Sequence, residues 1–165
     1  MSLISFLKDA GEKMLYAGPA RENAEAQHVD PVADLHAQER ALEQAILDYM
    51  KVQGLPVADL TVAFDAPSST VTVTGAAPDQ VTREKIMLCC GNVQGVAHVV
   101  DKIGVASGEG AVARWYTVQA SDSLASIAQK FYGDANQYRR VFDANRPMLS
   151  DPEQIYPGQV LRIPA

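Results

Sequence analysis

The chain has 165 residues, 47% of them hydrophobic and 21% charged, and a formal net charge of −6 at pH 7. That length holds one ordinary domain or two small ones, and the composition is that of a globular protein. The acidic balance excludes a nucleic-acid binder of the usual kind, because no Lys/Arg run is present to offset phosphate repulsion.

The first eighteen residues read MSLISFLKDAGEKMLYAG. Leu3, Ile4, Leu7, Met14 and Leu15 recur at helical spacing, which predicts a short amphipathic helix over residues 1–18, broken or capped near Gly11 and packed on the rest of the protein. Lys8, Asp9, Glu12 and Lys13 interrupt the apolar residues, so the segment resembles neither a signal-peptide core nor a membrane span. The expected location is the cytoplasm. Residues 19–31, PARENAEAQHVDP, carry proline at both ends and little apolar content, and read as a linker with His28 exposed.

From Val32 the pattern is helical, with Leu35, Leu42, Ile46, Tyr49 and Met50 on one stripe and Gly54 as the stop. Glu39 and Glu43, spaced i, i+4, read as a solvated face beside it. Leu60, Val62 and Phe64 then alternate, PSST turns the chain, and VTVTG returns, which predicts a hairpin. A second helix begins near Pro78 and Asp79, carries Val81, Ile86, Leu88 and Cys89, and ends at Gly91. GNVQGV leads into a last strand, VAHVVDKIGV. The order over 32–105 is α-β-β-α-β. This stretch holds nine Asp/Glu against five Lys/Arg, whereas 115–165 holds five of each. Cys89 and Cys90 are adjacent, a poor geometry for a disulfide, and read as small core residues in a reducing compartment.

ASGEGAVAR (106–114) is rich in Gly, Ala and Ser and reads as a second linker. Beyond it, WYTV predicts a strand. SDSLASIAQKFYG predicts a helix capped by Ser121 or Asp122, with Leu124, Ile127, Ala128 and Phe131 facing inward. DANQYRRVFDANRPM predicts another helix, and QVLRIP a closing strand, so 115–165 is β-α-α-β. The fold class is α+β in two small domains.

Three stretches of the second domain resemble the LysM family: YTVQASDSLASIAQKFYGD, ANQYRRVFDANRPML and IYPGQVLRIP. Residues 32–105 resemble the BON domain through VTVTG and GNVQGV. The order of N-terminal segment, BON and LysM resembles the bacterial potassium-binding BON–LysM (Kbp-type) family. That resemblance implies K⁺ as the ligand, held by the backbone carbonyls of Leu7, Ala10, Gly91, Val93 and Val96. It also implies a role in sensing or buffering K⁺ under stress, with the LysM domain packing according to occupancy. The chemistry is reasonable, since carbonyl dipoles can replace the hydration shell of K⁺. Helix C-termini leave carbonyls unsatisfied at a partly negative end. Gly91 and Gly95 equally suit ordinary helix caps and turns.

The resemblance also implies a second ligand class, N-acetylglucosamine polymers such as a peptidoglycan fragment, in a groove around Ser121, Asp122, Leu124, Asn145, Ile155 and Gln159. Here Ser121-Asp122-Ser123 stands where LysM binders commonly carry Gly-Asp-Thr or Gly-Asp-Ser, and MLSDPEQIY lengthens the second loop. This reading therefore ranks behind K⁺, and a partner-binding scaffold ranks third. Trp115 and Tyr116 could stack on sugars or pack at the domain junction. None of His28, His36 and His98 has a motif-spaced nucleophile, and no phosphate loop or metal-ligand pattern is present, so no enzyme is expected. A monomer is expected.

Overall fold

The structure, a computed structural model, describes residues 2–5, 31–108 and 110–165. In the first domain a four-stranded sheet is built from β1 (Ser2–Ser5), β2 (Ala58–Asp65), β3 (Thr70–Ala77) and β4 (His98–Val105), with helices α1 (Pro31–Val52) and α2 (Gln80–Gly91). The sheet order is β1-β4-β3-β2. β2 and β3 form the antiparallel hairpin, and β3 runs parallel to β4, so α2 is the crossover that a parallel pair requires. The α1 stripe is as expected: Leu42, Ile46 and Met50 are buried, and Leu35 and Tyr49 are half-buried. Val71, Val73, Val99 and Ile103 complete the core from the sheet side. Gly75 lies beside the irregularity between Ala58 and Thr61, where an added Cβ would stand 2.9 Å from the Ala58 carbonyl.

The start of the chain departs from expectation. Leu3 and Ile4 are not helical; they lie in β1, with Leu3 opposite Val100 and Ile4 opposite Val99. A run of four residues has no decisive period, and the open backbone edge of β4 offers it hydrogen bonds. The remainder of the expected helix lies outside the described residues, as does most of the 19–31 linker. Pro31 itself opens α1.

The carboxylates of Glu39 and Glu43 are not a solvated face. Glu43 Oε1 accepts from the Phe64 N–H (2.8 Å), and Glu39 Oε1 accepts from the Ala66 N–H (3.1 Å). A four-residue helical step of about 6 Å nearly matches a two-residue strand step of about 6.6 Å, so the two side chains reach alternate donors along the outer edge of β2. The backbone bond from Ala66 is the main reason that the Glu39 carboxyl sits below its usual pKa, ahead of the His36 contact.

The second domain comprises β5 (Arg114–Thr117), α3 (Leu124–Tyr132), a short 3-10 turn (Ala135–Gln137), α4 (Tyr138–Ala144) and β6 (Val160–Ile163), which pairs antiparallel with β5. Leu124, Ile127, Ala128, Val141, Leu161 and Ile163 form its core. The N-cap of α3 is Ser123, not Ser121 or Asp122. Ser123 Oγ accepts from the Ser126 N–H and the Ser126 hydroxyl accepts from the Ser123 N–H, a reciprocal box that an Asp one residue earlier cannot make.

The two domains share a buried junction. Met148 and Val160 of the second domain enter the core of the first, and Trp115 packs against it. Glu84 on α2 and Arg162 on β6 are only 3% and 6% exposed, with Arg162 Nε 2.6 Å from Glu84 Oε2. Glu84 Oε1 accepts from Gln80 Nε2 (2.8 Å) and from the Ala113 N–H (2.9 Å), so the end of the Gly/Ala-rich connection is docked too. Asn92, just past α2, donates from Nδ2 to the Val160 carbonyl (3.0 Å) and accepts the Val160 N–H on Oδ1 (2.9 Å).

The Arg162→Met variant strands the Glu84 carboxylate in the interior and should cost about 3–5 kcal/mol of unfolding free energy. Adding Glu84→Gln removes that charge but keeps an acceptor for Ala113. Urea unfolding of the double variant should recover part of the loss; no recovery would mean that charge is not what Arg162 answers.

Candidate functional site

The first candidate is the turn at 91–96. Asp79 starts α2 by accepting the Thr82 N–H on Oδ1 (2.7 Å), a bond that also holds its carboxyl below the usual range. From Ile86 to Gly91 every residue of α2 is buried, so its C-terminal half is enclosed between the sheet, α1 and β6. The helix ends with the Asn92 N–H bonded back to the Leu88 and Cys90 carbonyls. The Val93 N–H then reaches the Cys90 carbonyl and the Val96 N–H the Val93 carbonyl. Gly95, at φ +94°, makes the reversal, which a residue with a Cβ resists. The Ala97 and His98 N–H groups both reach the Ser69 carbonyl and tie the turn to the β2–β3 loop.

Within this frame the Gly91 carbonyl accepts no backbone hydrogen bond among the described residues. The Val93 carbonyl has spent one of its two lone pairs on Val96. No basic residue occupies the last turn of α2, so the negative end of the helix is not neutralised from within. Val93 and Val96 bury their side chains, at 7% and 0% exposure, and thereby anchor the turn in the core. Of the five expected donors, Gly91, Val93 and Val96 fall in this one turn, while Leu7 and Ala10 lie outside the described residues. Among the described residues no group of three or more His, Cys, Asp or Glu is arranged to hold a metal ion.

The second candidate is a groove of about 400 Å³ between 122–125 and 152–155. Asp122, Leu124 and Ile155 line it, with Tyr138 and Glu153. Ser121, Asn145 and Gln159 do not line it. Asn145 is 1% exposed; its Nδ2 donates to the Val141 and Arg162 carbonyls and its Oδ1 accepts the Arg162 N–H, so its side chain is a structural clamp. The amide of Gln159 accepts the Tyr156 N–H. Asp122 Oδ2 holds the loop by accepting from the Tyr116 hydroxyl (2.7 Å) and the Gln119 N–H (2.8 Å). That hydrogen bond, with some burial, pushes the Tyr116 phenol up to about 12.

Comparison with known proteins bears on both sites. Residues 38–107 match the BON domain and residues 116–164 the LysM domain. Over 164 residues the chain is 37% identical to the potassium binding protein Kbp of Escherichia coli O6:H1, covering 99% of each sequence. The chain belongs to the Kbp-type BON–LysM family. Shorter likenesses reach an uncharacterized protein of Deinococcus radiodurans, 47% identical over 49 residues (30% of this chain, 19% of that protein), and the uncharacterized protein YqbP of Bacillus subtilis, 34% identical over 58 residues (30% and 26%). Both matched domains are of binding type. No helix among the described residues is long and apolar enough to cross a membrane.

Sequence reasoning missed the residues that join the two sites' domains. Glu84 lies in a polar TREK run that looks like helix surface, and Arg162 sits in a closing strand where alternation allows an exposed residue. Asn92 reads as turn chemistry. Only an Asn beside a buried CCG offers a hint that its amide has partners.

Cys89 and Cys90 are free and buried inside this same helix end. Burial pushes the Cys89 thiol up to about 12 and Cys90 well above its ordinary value. Both should stay protonated at pH 8 and react with iodoacetamide far more slowly than in denaturant, by on the order of a hundredfold, because the thiolate is the reacting form and burial hinders access. Mass spectrometry of timed samples measures this directly.

Proposed function

We propose that this protein binds K⁺ in the cytoplasm through backbone carbonyls of Leu7, Ala10, Gly91, Val93 and Val96. Binding senses or buffers the ion by drawing the BON and LysM domains into a more compact arrangement. The observation that carries this reading is end-to-end relatedness to a protein named for potassium binding.

The chemistry of the 91–96 turn supports it. A carbonyl with no backbone donor among the described residues, at the negative end of a buried helix and with a second carbonyl half used beside it, suits a large monovalent cation that needs dipoles rather than carboxylates. The strand pairing supplies a route for the remaining donors. Ser5 is opposite His98, two residues past Val96. Leu7 lies two residues past Ser5 in the sequence, so it stands at most about 7 Å from it. The unpaired thiols are in keeping with a reducing compartment.

Melting temperature followed in KCl against NaCl at constant ionic strength tests the proposal. K⁺ alone should raise stability, by about 2.7 kcal/mol at a hundred times the dissociation constant. Equal responses to both salts would overturn it. Gly95→Val forces a β-branched residue to φ +94° where no heavy atom lies within 4 Å of the new Cβ, so it reshapes the turn by strain alone. It should weaken the K⁺ response on the order of tenfold, the equivalent of about 1.4 kcal/mol.

The groove lined by Asp122, Leu124 and Ile155 favours a second reading, binding of an N-acetylglucosamine polymer such as a peptidoglycan fragment. Sedimentation with purified peptidoglycan should retain the wild type and release a Leu124→Lys variant if the groove is used. Equal retention of both would rule the groove out.

A further inference from the structure

We propose that Asn92 is the positioning residue that couples the 91–96 turn to the LysM domain, by holding both backbone groups of Val160 with one side-chain amide. The inference rests on the K⁺ reading above and deepens it. Asn92 stands between Gly91 and Val93, two of the carbonyl donors.

The peptide unit joining Gly91 to Asn92 carries both the Gly91 carbonyl and the Asn92 N–H. That N–H points back into α2, to the Leu88 and Cys90 carbonyls. A trans peptide is planar, so the Gly91 carbonyl points the opposite way, out of the helix end. Rotating the plane alone to tilt it toward an ion would pull the Asn92 N–H off its α2 acceptors, so keeping that bond requires the Asn92 Cα, and the side chain on it, to shift with the carbonyl. The side chain ends on β6, where Nδ2 meets the Val160 carbonyl and Oδ1 meets the Val160 N–H. Val160 is 3% exposed and belongs to the first domain's core, so β6 registers small displacements as packing changes.

The far end of α2 is also attached to β6, through Glu84 and Arg162, but that contact lies nearly two helical turns from the donors and involves none of their peptide planes. Ion occupancy should therefore pass to the LysM domain through Asn92 and not through the ion pair. Coupling is reciprocal: LysM docking must tighten K⁺ binding by the same factor, typically about 5- to 150-fold.

The experiment uses the full chain as wild type, Asn92→Ala, Asn92→Asp and Arg162→Met. K⁺ affinity is measured by calorimetry. The radius of gyration is measured by small-angle scattering in KCl and in NaCl at equal ionic strength. Wild type should bind K⁺ and contract. Asn92→Ala should still bind, roughly tenfold more weakly, and no longer contract. Asn92→Asp keeps the acceptor for the Val160 N–H and should contract less than wild type; it also serves if the Ala variant fails to fold. Arg162→Met loosens the same junction but should keep its K⁺-dependent contraction. Full contraction in Asn92→Ala, or its loss in Arg162→Met as well, would overturn the role of Asn92. A wild type that binds K⁺ without contracting would overturn the coupling and leave the ion site standing, whereas a wild type that binds no K⁺ would overturn both.

Discussion

The outer edge of β6 is the constraint on which the rest of the molecule depends. A two-stranded sheet leaves one edge of each strand's backbone without a ladder, and buried N–H and C=O groups must find partners. Here two asparagine amides stand in for a third strand. Asn92 pairs with both backbone groups of Val160, and Asn145 with both of Arg162. One comes from the BON domain and the other from the end of α4, so β6 is fixed from two domains at once. The same solution recurs at β2 and the turn after it, whose N–H donors end on Glu39 and Glu43. In this chain, side chains on helices complete the sheets.

The ion pair at the junction has a different role. Taking Glu84 and Arg162 out of water costs several kcal/mol per ion, and their attraction, even at 2.6 Å, roughly offsets that cost. Its value lies in exclusion: any other register of β6 on α2 leaves one buried charge bare. Gln80 and Ala113 use the second carboxylate oxygen, so the connection between the domains is set by the same group. The two domains are thus one packed body at this junction, with apolar Met148 and Val160 supplying the contact and polar groups its register.

This arrangement separates the two candidate ligands in a physically sensible way. The 91–96 turn offers carbonyl oxygens at a helix end and suits a cation. The groove beside α3 offers an apolar floor at Leu124 and Ile155 with polar walls, and suits a neutral sugar. Asn145 serves neither ligand, because its amide is wholly engaged inside the fold.

Local pattern was legible wherever one face of an element is buried over several turns or pleats. The α1 stripe, the alternation of Val71 and Val73, the α3 core positions and the α-β-β-α-β then β-α-α-β order all follow from period and from turn residues, because burial of a regular element imposes its repeat on the chain. Family likeness rested on the same local features. Four residues at Ser2–Ser5 carry no such repeat, and only the open edge of β4 made them a strand. Glu39, Glu43, Glu84, Asn92 and Arg162 are polar residues that each have a partner 21 to 78 positions away, as for Glu43 with Phe64 and Glu84 with Arg162. A sequence records that such residues are polar; whether they meet water or a buried backbone group depends on which elements fold against them. That pairing, and with it the link between the 91–96 turn and the second domain, was decided by tertiary structure alone.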